Sequence, residues 1–193
     1  MRRLHGWSIW LLAGFALLSQ GCVGRLVGEG AEKTMGPKGD YWETKPAAAS
    51  KRTKALASYG RIELGAINNE IGRNLPPDFI SKFKAEFAKQ LRESKLPKDA
   101  SGKTLVINVD VIHYENADMS DNVFGPLEQV VARINILDKE SQQVLAAGNA
   151  IGRTGKTLGM GVDWKARGLA KALIKWVSDY SSKGNDDDEK KKD

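Results

Sequence analysis

Residues Trp7 to Leu18 (WSIWLLAGFALL) form an uncharged, mostly apolar run of twelve residues behind Arg2 and Arg3, and the chain's single cysteine, Cys22, follows closely. A membrane-spanning helix needs roughly twenty apolar residues, so this run has the length of a signal-peptide core instead. The leader is residues 1–21, and the mature chain begins at Cys22 in an exported compartment. That constrains the fold strongly. An exported domain that needed covalent staples would pair cysteines, and a lone cysteine at the N-terminus has no internal partner, so the body must hold by packing alone.

Ser19, Gln20 and Gly21 precede Cys22, and the end of the leader resembles the bacterial lipobox, in which small residues precede a cysteine that is acylated and becomes the N-terminus. Gly21 fits that pattern; Ser19 departs from it, the usual leucine standing one place earlier at Leu18. Two other routes use the same residues. Ser19-x-Gly21 is also a small-x-small site for ordinary signal peptidase, and Arg2-Arg3 invites twin-arginine export, although His5 and Gly6 stand where that signal wants bulky apolar residues. Lipidation of Cys22 implies a firm anchor, because each buried methylene contributes about 0.8 kcal/mol and two or more chains hold where one exchanges. Val23 stands where an aspartate retains lipoproteins in the inner membrane of well-studied Gram-negative cells. The resemblance therefore implies an outer-membrane location facing the periplasm, with the membrane as partner through the lipid.

The chain has 193 residues, enough for one ordinary domain, and 41% hydrophobic content argues for a packed body. Once Arg2 and Arg3 leave with the leader, 28 basic residues face 24 acidic ones. This mild excess is spread along the chain. It favours solubility and a weak attraction to anionic lipid, lipopolysaccharide or peptidoglycan acids, and no nucleic-acid motif accompanies it.

From Val23 to about Ser58 neither period is sustained: glycines interrupt it, and residues 45–51 read as a spacer, so 22–58 is assigned to the lipidated cysteine and a tether. Within it, Asp40-Tyr41-Trp42 is a candidate for docking on the body or a neighbour, though single exposed aromatics are common. Ile62, Leu64 and Ala66 then alternate with polar residues in a first strand, Tyr59 to Ile67. Pro76-Pro77-Asp78 opens a helix whose Phe79, Ile80, Phe83, Phe87 and Leu91 recur at spacings of three and four; such a stripe is far more often core than a ligand groove. Thr104 to Tyr114 is a central strand rich in β-branched residues. Strands from about Leu127 to Leu137 and Val144 to about Arg153 form a hairpin. The last helix, Asp163 to about Ser181, presents Leu169, Leu173, Trp176 and Tyr180 inward and Lys165, Lys171 and Lys175 outward. Gly168 within it costs about 1 kcal/mol of helix propensity, which implies close packing there. The charged tail, 183–193, is expected to be disordered.

The fold class is therefore α+β: a two-layer sandwich in the order β-α-β-β-β-α, with two helices on one face of a four-stranded sheet spanning 59–182. On this strand and helix pattern, with Leu105-Val106-Ile107, the Val130-to-Asp138 strand and the small residues before the last helix, the chain resembles a family of small bacterial envelope lipoproteins known as a domain of unknown function. That family often has glycine in the turn after the aspartate strand, where this chain has Ser141-Gln142. The layout also looks like that of lipoprotein activators of peptidoglycan synthases, a likeness of fold that transfers no function.

Few constellations offer chemistry. Ala150 to Thr157 (AIGRTGKT) satisfies the loose phosphate-loop pattern, but that loop needs its helix to begin at the Lys156-Thr157 pair, and here Gly159 and Gly161 intervene. No nucleotide is expected. His113 is the only histidine of the mature chain, with Asp110 and Glu115 near it; alternation puts Asp110 on the opposite face, and one histidine falls short of a zinc site. Asp118 and Asp121 miss the calcium-loop spacing. No catalytic, cofactor or metal residue emerges, and Cys22 is the one site expected. The sequence thus implies a lipid-anchored, non-catalytic binding module for an envelope protein or the cell wall. An envelope hydrolase with an unrecognised site and a structural assembly subunit are the alternatives.

Overall fold

The computed structural model describes residues 37–47, 54–98, 102–115, 128–154 and 161–181. Cys22, the leader, the charged tail, Asp118, Asp121, Lys156 and Thr157 lie outside the described residues. The elements are β1 (Lys38–Lys45), β2 (Tyr59–Asn69), a 3-10 turn (Gly72–Asn74), α1 (Phe79–Glu93), β3 (Lys103–Tyr114), β4 (Gln129–Asp138), β5 (Val144–Arg153) and α2 (Gly161–Ser181). The class is α+β with both helices on one face, but the sheet has five strands in the order β1-β5-β4-β3-β2. The fifth is β1, which lies within the 22–58 span read as tether. It hides from a periodicity search because the residues it turns toward α2 are Gly39, Tyr41 and Glu43, which make no apolar alternation.

β2 and β3 run parallel, joined through α1; every other pairing is antiparallel. The expected hairpin of β4 and β5 is present. Its turn is held by Asp138, whose Oδ1 accepts the N–H groups of Glu140 and Ser141 at 2.9 Å each, while Gln142 adopts a φ of 56°, the left-handed conformation that suits glycine. Asp138 Oδ2 also accepts the Tyr59 hydroxyl at 2.8 Å, linking the hairpin to β2 across β3. These hydrogen bonds hold the Asp138 carboxyl at about 2, and burial and the same bond push the Tyr59 hydroxyl up to about 12.

The core lies between sheet and helices. On β3, Leu105, Ile107, Val109 and Val111 are buried, as are Val130, Ala132, Ile134 and Ile136 on β4. α1 meets them with Phe79, Phe83 and Phe87; the Phe79 and Tyr114 rings pack edge to face at 5.6 Å. Each such buried ring contributes about 1.5–3 kcal/mol. α2 rests on β1 and β5 through small residues. A Cβ on Gly168 would stand 2.5 Å from the Lys38 carbonyl oxygen, and one on Gly152 would stand 2.4 Å from the Leu169 nitrogen. The close packing expected at Gly168 is therefore present. Lys82 pairs with Asp163 and Glu86 with Arg167, four residues further along both helices, so α1 and α2 run parallel side by side.

Candidate functional site

Two bulges change which side chains share a face. In β2 the register shifts between Leu64 and Ile67, so Ala66, expected on the apolar face, is exposed and donates its N–H to Asn108 Oδ1 at 2.9 Å. In β3 the shift lies between Val111 and His113. It pairs exposed His113 with Val131 on the face that carries Asp110 and Arg133, reversing the expectation that Asp110 and His113 face opposite ways.

That face, turned away from the helices, carries four polar residues in register across β2 to β5, with Trp42 of β1 at the end of the line. Asn68 stands opposite Asp110, Asp110 opposite Arg133, Arg133 opposite Asn149, and Asn149 opposite Trp42. The neighbouring row pairs Asn108 with Asn135. Asn68 donates to Asp110 Oδ1 at 2.7 Å. Arg133, Asn135 and Asn149 make no side-chain hydrogen bond or ion pair among the described residues, and Arg133 is exposed. Trp42, at 47% exposure, is the one large apolar side chain standing exposed among the described residues.

The other polar groups of note are occupied internally. Lys165, expected to look outward, is instead buried, with 1% of its surface exposed. Its Nζ lies 2.7 Å from Glu128 Oε2, donates to the Glu115 carbonyl and sits 4.0 Å from the Tyr114 ring centre. Burial pushes its ammonium down from the ordinary lysine range, against the Glu128 charge. Such a pair offsets its desolvation only with this many partners, and here it ties the ends of β3 and β4 to α2. Lys171 donates to the Pro37 carbonyl and Lys175 to Asp40 Oδ1, both holding β1. A second set clasps β1 from its helix side: Trp176 Nε1 and the Tyr180 hydroxyl donate to the two oxygens of Glu43 at 2.8 and 2.9 Å, and the Tyr41 ring stacks on Trp176 at 4.9 Å. Tyr41 also donates to Asp179 Oδ2 at 2.5 Å. Burial raises both tyrosine hydroxyls far above their ordinary range.

Of the phosphate-loop candidate, Ile151 to Arg153 belong to β5, and the N–H of Thr154 is taken by the Glu128 carbonyl. Among the described residues no group of three metal-ligating side chains gathers, and no helix is long and apolar enough to cross a membrane. Sequence reasoning missed the polar row because its members are scattered over five strands. The available signal was asparagine inside strands, which disfavour it.

No protein-family model matches the chain, and no curated protein matches it. Among solved structures, the chain is similar to the PelC dodecamer from Paraburkholderia phytofirmans, at 14% identity and a TM-score of 0.48 over 76% of this chain and 99% of that one. A second crystal form, of a PelC variant, gives 15% identity and 0.47 over 75% and 98%. Protein XCC0632 from Xanthomonas campestris, of family-model DUF330, is similar at 8% identity and 0.45 over 65% and 86%. These are likenesses of layout, and no residue role passes across at such distances.

Proposed function

We propose that this chain is a lipid-anchored envelope protein, held at Cys22 in the outer membrane facing the periplasm, whose domain acts by binding an envelope or cell-wall partner and not by catalysis. One observation carries the reading. Among the described residues both helices lie on one face of the sheet, and on the other face Arg133, Asn135 and Asn149 have no side-chain partner there, while Glu43, Lys165 and Asp138 are engaged within the fold. A catalytic group must face substrate, whereas a binding surface needs unspent donors and acceptors turned outward.

Metabolic labelling of cells with a fatty-acid precursor, in parallel with a photo-crosslinking residue placed at position 149, tests both halves. The native chain takes up label and Cys22→Ala does not; crosslinks form from position 149 and not from a control position on the outer side of α1, such as 84. A chain that never labels overturns the anchor, and a position 149 that captures neither protein nor glycan overturns the binding surface.

A further inference from the structure

The sheet face turned away from the helices presents asparagine or aspartate at interior positions of four strands: Asn68, Asn108 with Asp110, Asn135 and Asn149. Both residue types disfavour strands, and departures from local preference concentrate where function demands them. The fold accounts for part of the set: Asn108 satisfies the N–H that the β2 bulge frees, and Asn68 bonds Asp110. It does not account for Arg133, Asn135 and Asn149.

We infer that the row from Asn68 through Asp110, Arg133 and Asn149 to Trp42 binds an extended, uncharged polysaccharide chain lying across the strands. Amide side chains both donate and accept, so neighbouring amides bridge the hydroxyl pairs of a sugar ring, and Asp110 and Arg133 add one strong acceptor and one strong donor. The electron-rich face of an exposed indole suits the C–H side of a pyranose. Four strand spacings give the row a length of about 19 Å, a track for several sugar units. Charge narrows the occupant further. Asp110 and Arg133 cancel within the row, where a phosphate-rich ligand would need clustered cations.

This inference rests on the binding-module reading and deepens it. The test is affinity electrophoresis of the full chain through native gels holding hydroxyethyl cellulose or glycol chitin, both uncharged 1,4-linked polymers. At least one polymer retards the native chain. Trp42→Ala weakens that binding about tenfold, as loss of a stacked ring demands, Asn149→Ala and Arg133→Ala each weaken it less, and Lys84→Ala, on the outer side of α1, leaves it unchanged. No retardation in either gel overturns the inference, as does retardation that survives Trp42→Ala in a chain whose thermal melt is native. If neither polymer binds while position 149 crosslinks a protein in cells, the binding module stands and its polysaccharide ligand falls.

Discussion

The two helices cover the same sheet by opposite means. α1 reaches the sheet through three buried phenylalanines, so its contact is made of side chains that choose among rotamers. α2 meets β1 and β5 at a seam with Gly168 against Gly152 and the Lys38 carbonyl, so there its contact is backbone on backbone. A side-chain contact yields to small changes of shape, whereas a backbone contact has nothing that can rotate away. The phenylalanine stripe should therefore accept exchange, and the glycine seam should accept nothing larger.

The largest effect expected is at the seam. Gly168→Ala improves helix propensity by about 1 kcal/mol, yet its methyl collides with the Lys38 carbonyl, and we expect a net loss of about 3 kcal/mol in urea unfolding. A gain in stability would break the contrast. Next, Glu43→Ala strands the Trp176 N–H and Tyr180 hydroxyl and costs about 2 kcal/mol, with loss of β1 amide protection in hydrogen exchange before the rest of the sheet. Phe83→Leu on the other side costs about 1 kcal/mol, since the stripe repacks around an apolar replacement; a cost above that of Gly168→Ala would reverse the comparison. Asp138 joins the two halves through Tyr59. Its folded pKa of about 2 lies below the ordinary aspartate value near 3.9. Its contribution is thus fully present above pH 3.9 and is lost as pH falls through about 2. Acid unfolding of Asp138→Asn should show a shallower dependence in that window. The smallest effect lies outside both contacts: Gln142→Gly relieves the left-handed φ and raises stability by about 0.5 kcal/mol, the strain relieved slightly exceeding the entropy glycine adds to the unfolded chain.

How much of this was legible follows the same division. β2 through β5, both helices and the hairpin announce themselves through period and punctuation, because their inward residues are apolar: Leu105 to Val111 and Phe79 to Phe87 need only counting. β1 does not, because its helix-facing residues are a glycine, a tyrosine and a glutamate whose partners lie more than 100 residues away. Lys165 looks like any exposed lysine until Glu128, Glu115 and Tyr114 are seen to close around it. The bulges at Leu64/Ile67 and Val111/His113 are invisible in composition, and each turns the rest of its strand over. The candidate binding row is a property of register, which pattern along one strand cannot supply. Cys22 lies outside the described residues, so the lipidation proposed for it rests on the sequence alone.

β1 is the first strand of the sheet in the chain and sits at the edge farthest from β2. The partners described for it come late: β5 beside it, and Gly168, Trp176 and Tyr180 on the last helix. A chain emerging N-terminus first therefore carries β1 without these partners until β5 and α2 have been delivered, and closing that distant contact is the slow, entropically costly step. Completion of the fold is thereby timed by arrival of the C-terminal helix, so a chain cut short before α2 cannot dock its own first strand and should be left open to proteolysis there.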